Sequence, residues 1–599
     1  MNVLILGGGI SGVSAAKVVL KEGHRAIILE STPELGGTMA RIANCRIGFK
    51  TFFDEIKDHP NLQVIRGASV TAARKEADGF SVTLSDGEVV EAHRVIVAAG
   101  LSPYDPVEYK GKRVLTSLEY DARIDQKNGE LPEDFNKIGF FLCVGSRSKE
   151  YPLCSSVCCS YTIREVKWTL QRAKPEIAVF YNDLRLFGQE FYLEKIYRDA
   201  GVRFVRANSR YFEEDEEGVT VRYFVDGELR EERFNYIVLA IGLRPNPGLK
   251  DLSALFGFSL NEYGFVAEEE PLVTDASGVF ACGGALEPMN IKDSILTGFG
   301  AGILSVKDAE LMTAAAREEG LLRDEDPPEI VMPDGDFDSC AFYLGTDDPG
   351  DAMFTEYMSA RFIEAARKLK ATGKTVYVVT KNTVMPSYDE VTFEKARREG
   401  VVVINLEEGE TFGASGGTIT ITGPGRELTL TADRVISFGD YRDHFKGREF
   451  LCVFRSEPQL RWNPTRWSRK KYHIGFLRHP RDRRWKPREV LGALGEILLD
   501  REEERLYPTV EEERCSGCGA CKDACPQKAI DIAITEKQVS VFGPIFSTGI
   551  PKAHVDEGAC VACGLCVSTC PSDVIKFPEQ EEKHKVEECM AHVPAEKTA

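Results

Sequence analysis

The sequence has no long apolar run. Within its 599 residues, no apolar stretch approaches the ~20 residues that a membrane-spanning helix needs. The first residues, 1–6, also lack the basic leader of a secretory signal and run directly into a glycine-rich turn. We therefore expect a chain without a transmembrane helix, located in the cytoplasm and long enough for several domains.

Histidine is scarce, with nine residues in the whole chain, and the HExxH pattern of zinc hydrolases is missing. No Ser/His/Asp or paired-carboxylate arrangement stands out either. Asp and Glu outnumber Lys and Arg by 94 to 75, which gives a formal net charge of −19. These features give hydrolysis no support and argue against nucleic-acid binding.

Cysteine, in contrast, is plentiful and clustered. Disulfide frameworks are typical of small secreted proteins, whereas clustered cysteines in a large chain indicate metal binding. Twelve of the 17 cysteines form three groups of four, and five are scattered. The groups are Cys143, Cys154, Cys158 and Cys159; Cys515, Cys518, Cys521 and Cys525; and Cys560, Cys563, Cys566 and Cys570; the scattered residues are Cys45, Cys282, Cys340, Cys452 and Cys589.

The N-terminal segment predicts a dinucleotide-binding βαβ unit. An apolar strand leads into a GxGxxG loop, a helical pattern follows, and the next strand ends at Glu30. Gly7 permits the tight turn, Gly9 lets the backbone approach a pyrophosphate, and Gly12 lets helix and strand pack closely. The helix N-terminus faces the phosphate charge, and Glu30 is placed to accept hydrogen bonds from ribose hydroxyls.

Later segments favour FAD over NAD at this first site. They resemble accessory elements of the glutathione- and thioredoxin-reductase flavoproteins. One departure is that Gly284 stands where the closing flavin motif of that family has an acidic residue. The elements are Gly36-Gly37, the strands that end at Gly100 and Gly242, and residues 274–284, which end in Gly283-Gly284.

A second glycine loop, which would bind a nicotinamide cofactor, is missing where that family carries it. Residues 138–145 have a buried-strand pattern, but the strand ends at Cys143-Val-Gly145 and a helix is predicted from Ser160 to about Arg172. Four thiolates within 17 residues can ligate a 4Fe–4S cluster. Buried structural cysteines remain an alternative, as does structural zinc, for which the adjacent Cys158-Cys159 pair is awkward.

Two runs near the C-terminus have the spacing of a bacterial two-cluster ferredoxin, in which the fourth cysteine of each run ligates the other cluster. The 34 residues between the runs exceed those of a minimal ferredoxin, so we expect a hairpin or loop insertion there. The expected ligand sets are Cys515, Cys518 and Cys521 with Cys570, and Cys560, Cys563 and Cys566 with Cys525.

The sequence resembles the family of A-type flavin subunits of heterodisulfide reductase, which includes the flavin subunits of the quinone-interacting membrane-bound oxidoreductase. The resemblance covers about residues 1–307 and the ferredoxin runs. It implies a cluster at the Cys143 group close to the flavin, and it places Ile291 and Ser294 at the flavin. The segments that carry it are Cys143-Val-Gly-Ser-Arg147, Cys154-x3-Cys158-Cys159-x-Tyr161-Thr162, Asp183-Leu-Arg185-x-Phe187-Gly188 and Pro288-Met-Asn-Ile291-Lys-Asp293-Ser294.

Two positions depart from that family. Members often carry a cysteine pair and a proline after the Gly36-Gly37 region, where only Cys45 is present here. Many also have a lysine at the position of Met289. The first departure argues against a cluster near Cys45, and the second argues against flavin-based bifurcation.

Residues 338–505 repeat the strand and turn pattern of the preceding part without its cysteine group or glycine loops. We interpret them as a degenerate α/β repeat that serves as a docking module. Within it, Arg461–Arg488 holds eleven Lys or Arg residues against one Asp, together with Trp462, Trp467 and Trp485. Tryptophan and arginine are typical of interfaces, so an acidic protein partner is favoured over a membrane surface, nucleic acid or a simple solvated face.

The expected fold class is therefore α/β: a thioredoxin-reductase-like FAD-binding flavoprotein, a degenerate second α/β module and a C-terminal α+β ferredoxin domain. The expected function is that of an FAD and iron–sulfur electron-transfer subunit with three 4Fe–4S clusters, working in a complex with other redox subunits, with electron bifurcation or confurcation left open. The expected partners are ferredoxin-like or heterodisulfide- or quinone-linked proteins, and membrane association, where it occurs, is expected through such a partner. An NAD(P)H:ferredoxin-type oxidoreductase and a non-catalytic assembly scaffold are the alternatives. The predicted ranges are 1–137 for the FAD-binding part, 138–250 for the Cys143 part, 251–317 for the end of the FAD domain, 318–337 for a linker, 338–505 for the repeat, 506–578 for the ferredoxin domain and 579–599 for a flexible tail.

Overall fold

The structure is a computed structural model of the chain. Among its described helices, none combines the length and the apolar composition needed to cross a bilayer. The structure describes residues 1–109, 111–125, 135–186, 193–207, 210–225, 227–318, 320–325, 332–345, 354–424, 426–445, 466–468, 471–475, 485–499, 508–512, 514–525, 528–540, 545–556, 560 and 565–576.

The N-terminal part is built on a five-stranded parallel sheet. Alternate residues of its first strand face opposite sides: Val3 and Ile5 pack against helices, whereas Leu4 and Leu6 pack against an antiparallel meander. In spatial order the strands are β18 (Val279–Ala281), β7 (Arg94–Val97), β1 (Asn2–Leu6), β2 (Arg25–Glu30) and β3 (Leu62–Arg66); the meander is β4 (Val70–Glu76), β5 (Gly79–Leu84) and β6 (Val89–Ala92); the helices are α1 (Ile10–Lys21), α2 (Gly37–Ala40), α3 (Ala43–Asp54), α7 (Leu249–Phe256) and α8 (Ile291–Val306).

A second five-stranded parallel sheet carries the Cys143 group. It begins earlier than the predicted residue 138, because a strand at Val114–Thr116 pairs with the strand at Tyr236–Ile241 and forms one edge of the sheet. The strands are, in spatial order, β12 (Arg203–Arg206), β11 (Glu176–Tyr181), β10 (Lys137–Val144), β16 (Tyr236–Ile241) and β9 (Val114–Thr116); the helices are α4 (Ser117–Asp125), α5 (Cys158–Arg172) and α6 (Leu193–Asp199); a meander is formed by β13 (Arg210–Glu214), β14 (Val219–Val225) and β15 (Glu228–Phe234); and β8 (Leu101–Pro103) pairs with β17 (Leu243–Pro245) where the chain passes between the two sheets.

A third parallel sheet repeats the second one. Its four strands have the same spatial order as β12, β11, β10 and β16, and a three-stranded meander again precedes the last strand. The predicted degenerate α/β module is therefore confirmed. Its strands are β22 (Val402–Asn405), β21 (Thr375–Thr380), β20 (Ser339–Leu344) and β26 (Arg434–Ser437); its helices are α10 (Thr355–Ala371) and α11 (Asp389–Arg398); its meander is β23 (Thr411–Ser415), β24 (Thr418–Gly423) and β25 (Arg426–Thr431).

The end of the predicted repeat packs onto the N-terminal part instead. A helix at Lys486–Leu499 lies against α8, where glycines allow close approach: a Cβ on Gly492 would lie 2.8 Å from the carbonyl oxygen of Leu296. The elements of the repeat concerned are β27 (Arg466–Ser468), β28 (Lys471–Gly475) and α12 (Lys486–Leu499). Before the repeat, the chain forms α9 (Ala309–Glu318) and, within the predicted linker, β19 (Leu322–Glu325), which pairs with β28.

This packing corrects one prediction. Trp485 is buried in the core of the N-terminal part, and Arg488 forms buried ion pairs with Glu268 and Glu287. These two residues therefore do not belong to a partner surface, because they are used in the fold. Trp462 and the side chain of Trp467 lie outside the described residues.

The C-terminal unit is small and contains the predicted hairpin insertion. Two eleven-residue strands pair antiparallel between the two cysteine runs. A short strand pair joins the ends of the unit. The elements are β29 (Thr509–Val510), α13 (Ala520–Ala524), β30 (Ile530–Ser540), β31 (Ile545–Val555), α14 (Leu565–Thr569) and β32 (Ile575–Lys576).

Candidate flavin and iron–sulfur sites

The glycine loop joins β1 to α1. Gly7 has a φ of 122°, and a Cβ there would lie 2.3 Å from the carbonyl oxygen of Ala98. A Cβ on Gly12 would lie 2.0 Å from the carbonyl oxygen of Gly7. Gly9 differs, because its Cβ would meet no atom within 4 Å. Gly7 and Gly12 are thus needed for the fold, whereas Gly9 faces open space at the N-terminus of α1.

Glu30 stands beside this loop. One carboxylate oxygen accepts a hydrogen bond from the Gly8 N–H at 2.9 Å, and the other accepts from the N–H and hydroxyl of Thr32, each at 2.9 Å. The Ser31 hydroxyl also donates to this second oxygen, at 3.3 Å. Each carboxylate oxygen has about two acceptor positions, and the oxygen that accepts from Gly8 has one donor among the described residues, so Glu30 retains capacity for a ribose hydroxyl. The Gly36 N–H donates to the Gly8 carbonyl at 2.9 Å, which brings Gly36 and Gly37 to the loop.

The other predicted flavin residues close the same region. A Cβ on Gly284 would lie 3.1 Å from the backbone of Gly100, so an acidic side chain would not fit at Gly284 in this arrangement. Gly283, with a φ of 63°, packs against Ser11 of α1 and lies near Ser294. Ser294 and Ile291 belong to the first turn of α8, whose N-cap Asn290 accepts a hydrogen bond from the Asp293 N–H.

Gly242 lies elsewhere. Its N–H donates to the Val144 carbonyl at 2.7 Å, and its Cβ would lie 2.2 Å from the hydroxyl of Ser146. The Gly242 carbonyl accepts from the Tyr104 N–H at 2.8 Å, so the structure places Gly242 between the cysteine loop and the strand that follows Gly100. Gly100 and Gly242 each follow a strand in the sequence, so the pattern alone did not distinguish their two locations.

The loop residues fit a dinucleotide. Gly9 and Gly100 leave a cradle that a side chain would fill, and the α1 N-terminus offers backbone N–H groups to a pyrophosphate. Ser11 is a further residue of this cradle that the sequence did not single out, because a serine inside GxGxxG has no distinguishing pattern.

The cysteine loop begins at an irregularity in β10. The pairing of β10 with β16 shifts register between Phe141 and Val144, as in a β-bulge, and Cys143 takes a φ of 62°. Ser156, with a φ of 63°, and Arg147, with a φ of 54°, are also left-handed. Bulges and left-handed non-glycine residues are typical of functional sites, where they aim side chains at a cost of about 1–3 kcal/mol each.

This loop brings the four predicted thiols together at the start of α5. Cys154, Cys158 and Cys159 are buried, and Cys143 is partly exposed. The hydrogen bond with Cys143 alone would lower the pKa of Cys158, but hydrogen bonding with Cys159 and burial raise this pKa above its ordinary value. The thiolate forms here need a compensating cation, and iron in a thiolate-bound cluster supplies one.

Backbone N–H groups point at these sulfurs. The Ser156 N–H donates to Sγ of Cys154 and the Arg185 N–H donates to Sγ of Cys159, each at 3.4 Å. Such donors favour sulfurs that carry negative charge. The donor set, its burial and the N-terminus of α5 therefore fit a 4Fe–4S cluster.

Buried charged side chains flank this loop. Arg147 pairs with Asp183 at 2.7 Å and with Glu390 at 3.0 Å. Burial alone would raise the pKa of Asp183, but the guanidiniums of Arg147, Arg206 and Arg185 lower it to about 2. Asp183 and Arg185 belong to a segment that carried the family resemblance. No sequence pattern pointed to Glu390, because this residue belongs to the module built on the third sheet.

In the C-terminal unit, one cavity is lined by Cys515, Cys518, Cys521 and Cys570. This is the predicted crossover set, with the fourth cysteine contributed by the second run. Of the other set, Cys525 accepts a hydrogen bond from the Ala529 N–H at 3.3 Å, Cys566 is buried and Cys560 is partly exposed. Cys563 lies outside the described residues.

Among the described residues, no three or more His, Cys, Asp or Glu side chains are arranged to hold a single metal ion. The ligands of a 4Fe–4S cluster are distributed around four irons, so they are farther apart than those of one ion.

Two protein-family models match the chain. The model described as "Pyridine nucleotide-disulphide oxidoreductase" matches residues 1–122 and indicates FAD. The model described as "4Fe-4S dicluster domain" matches residues 514–574 and indicates 4Fe–4S clusters. Together with the sheets described above, they show an α/β fold similar to the pyridine nucleotide-disulphide oxidoreductases at the N-terminal end and a dicluster ferredoxin domain at the C-terminal end.

The similar proteins are subunits of heterodisulfide reductases. A protein of Archaeoglobus profundus that is named for its likeness to the A-type subunits of heterodisulfide reductase is 36% identical over 452 residues, which cover 49% of this chain and 64% of that protein. The A-type subunit of the "H(2):CoB-CoM heterodisulfide,ferredoxin reductase" of Methanothermobacter marburgensis is 29% identical over 243 residues. That match covers 35% of this chain and 36% of the relative, so the chain spans about a third of that relative's length.

Among solved structures, thioredoxin reductase of T. acidophilum is 18% identical to this chain, with a TM-score of 0.39. The match covers 51% of this chain and 96% of that protein.

Proposed function

We propose that this chain, a relative of the A-type subunits of heterodisulfide reductase, is an FAD and iron–sulfur electron-transfer subunit of a larger oxidoreductase complex. FAD, when bound, supplies the exchange between two-electron and one-electron chemistry. Three 4Fe–4S clusters complete the proposal: one at the Cys143 group and two in the ferredoxin domain. Its partners are other redox subunits or a ferredoxin-like protein.

One contact carries the proposal. The hydroxyl of Ser156, which lies between Cys154 and Cys158, donates to the carbonyl of Pro288 at 3.1 Å. Pro288 immediately precedes the N-terminus of α8, where Ile291 and Ser294 are assigned to the flavin. The cysteine loop therefore lies directly against the segment that closes the flavin site, which supports a cluster ligand set next to the flavin.

Side chains cover the place where a nicotinamide cofactor would bind. At the turn after β10, a Cβ on Gly145 would lie 2.3 Å from the ring of Tyr104. Arg244 lies over the rings of Tyr151 and Tyr104, at 4.0 and 5.0 Å from their centroids. This stack fills the space beside the turn, which disfavours the alternative of a self-contained NAD(P)H:ferredoxin oxidoreductase.

Stopped-flow reduction of the anaerobically purified chain tests this function. A reduced low-potential ferredoxin should bleach the flavin and cluster bands readily, and NADH or NADPH should do so poorly. Full reduction by NADH or NADPH within one turnover time, without partner subunits, would show that the NAD(P)H-dependent alternative is correct. A colourless protein would instead support the scaffold alternative.

The proposal includes a cytoplasmic location. Thiolate-bound clusters need a compartment that keeps cysteines reduced. Bifurcation or confurcation is not part of the proposal, since Met289 is buried at the position where many family members have a lysine.

A further inference from the structure

Residues of the degenerate module contact one side of the cysteine loop and the segment beside it. The Cys154 N–H donates to the carbonyl of Ser387 at 3.3 Å, and the Leu184 N–H donates to the side-chain carbonyl of Asn382 at 3.0 Å. Both acceptors lie in the connection between β21 and α11. This connection is the counterpart, in the repeat, of the one that carries Asp183 and Arg185 after β11.

Glu390, in the first turn of α11, is a charged side chain that the module contributes at this contact. Its side chain is fully buried and pairs with two buried guanidiniums, those of Arg147 and Arg185. A buried carboxylate with two cationic partners is retained in a fold only where the charges compensate each other. Removal of Glu390 would leave Arg147 and Arg185 with Asp183 as their remaining carboxylate neighbour in this network.

Arg147 extends this network to the cysteines. Its Nη2 pairs with Asp183 and its Nε pairs with Glu390, but Nη1 has no hydrogen-bond partner among the described residues. Arg147 interacts electrostatically with Cys143 and Cys154, two of the predicted cluster ligands. The Arg147 guanidinium therefore places a positive charge and an unused buried donor within the cysteine loop.

We propose that Glu390 is a positioning residue of the cluster site. It holds the Arg147 and Arg185 guanidiniums beside the cysteine loop and thereby sets the reduction potential of a cluster bound there. This inference rests on the proposed function. It also gives the degenerate module a role that differs from docking: the module supplies part of the electrostatic environment of the cluster.

The direction of the effect follows from the charges. Reduction makes a cluster more negative, and a nearby cation favours the more negative state, with little screening in a buried site. Loss of the Glu390 charge makes the site more positive and raises the potential. Loss of the Arg147 charge makes the site more negative and lowers it.

An anaerobic redox titration of the whole protein, followed by EPR spectroscopy, tests the inference. In Glu390→Gln, the ratio of reduced to oxidised Cys143-group cluster at a fixed potential should rise at least about tenfold, which is about 59 mV for a one-electron couple. Arg147→Gln should shift the same cluster in the opposite direction. Glu390→Asp, which keeps the charge, should restore a midpoint close to that of the unmodified protein.

Glu410→Gln is the matched control. Glu410 is also a buried glutamate paired with an arginine, Arg426 at 2.8 Å, but both residues lie within the degenerate module. This variant should leave the midpoint unchanged. If Glu390→Gln lowers the yield of folded protein, Arg147→Gln still tests the inference. Only an electrostatic effect of these charges on the cluster requires a lower reduction potential in Arg147→Gln.

Different results would contradict the cluster at the Cys143 group and the role of Glu390. If the unmodified protein shows no signal that disappears in Cys158→Ser, the Cys143 group binds no cluster and the proposed function is overturned. If the signal is present but its midpoint stays fixed in both Glu390→Gln and Arg147→Gln, or moves in the same direction in both, the role of Glu390 is overturned and the cluster assignment stands.

Discussion

Gly9 differs from its neighbours in what surrounds its missing side chain. Gly7 and Gly12 leave no room for a Cβ because backbone atoms of the fold occupy that space. Gly9 has an ordinary extended conformation, with φ −78° and ψ −175°, and open space beside it. A side chain at Gly9 therefore affects a ligand at the loop and leaves the fold intact.

Gly9→Val should abolish FAD binding without unfolding the protein. The side chain would occupy the cradle that faces the pyrophosphate, so the affinity should fall by more than about 100-fold, a loss of about 3 kcal/mol. Flavin content and the thermal unfolding temperature measure the two effects. Gly12→Val is the contrasting variant and should lose both flavin and fold. Stoichiometric FAD in Gly9→Val would show that the loop does not bind FAD.

Glu165 is a buried acid two turns along α5 from Cys158. Its side chain is fully buried, and neither carboxyl oxygen has a hydrogen-bond partner among the described residues. Burial and the nearby Asp121 raise its pKa well above the ordinary value. In the unfolded chain the same group ionises near its ordinary pKa, so the folded state binds more protons and loses stability as the pH rises between the two values.

Glu165→Gln should therefore stabilise the protein increasingly at higher pH. The gain should grow by up to about 1.4 kcal/mol per pH unit above the ordinary pKa. Thermal unfolding of the variant and the unmodified protein at pH 5 and pH 8 measures it. Glu228→Gln, at an exposed position, should show no such trend. An equal or smaller gain at pH 8 would mean that Glu165 is ionised in the folded protein.

At the scale of elements, local sequence patterns predicted several strands, turns and helices correctly. The strand before Cys143, the glycine loop and the helix at residues 160–172 follow from apolar periodicity and glycine spacing, and the structure has β10, the β1–α1 turn and α5 there. The hairpin between the ferredoxin runs followed from excess length. Each of these predictions depends on residues that are neighbours in the sequence.

Contacts between distant elements could not be predicted in this way. Trp485 and Arg488 belong to a basic stretch whose composition is typical of an exposed interface, but the packing of α12 on α8 buries Trp485 and engages Arg488 in ion pairs with Glu268 and Glu287. Glu390 is separated by 243 positions from Arg147 (390 − 147), and its pattern is that of any acidic residue in the first turn of a helix. Only the tertiary arrangement of the two modules assigns these residues.

The ferredoxin cavity permits a test of ligand sharing. Because Cys570 lines the same cavity as Cys515, Cys518 and Cys521, Cys570→Ser and Cys518→Ser should perturb the same cluster and each remove about four iron atoms. Cys525→Ser should perturb the other one. EPR spectra of the three reduced variants compare the clusters directly. If Cys570→Ser resembled Cys525→Ser and differed from Cys518→Ser, the crossover assignment would be wrong.

At the scale of the whole molecule, a duplicated α/β unit encloses the cysteine loop. One copy supplies the thiols, and the other supplies Ser387 and Glu390 against them. The N-terminal flavin part meets the same loop through Pro288. On the inference made above, this arrangement gives a module without glycine loops or a cysteine group a role, because it contributes to the electrostatic environment of the cysteine loop.

The cluster at the Cys143 group is the central claim, and metal analysis tests it most directly. Anaerobically purified protein should contain about twelve iron atoms and about one FAD per chain, from three sets of four cysteines. Cys158→Ser should contain about eight iron atoms, since the two ferredoxin clusters lie in a separate unit. About eight iron atoms in the unmodified protein, with FAD intact, would contradict the account.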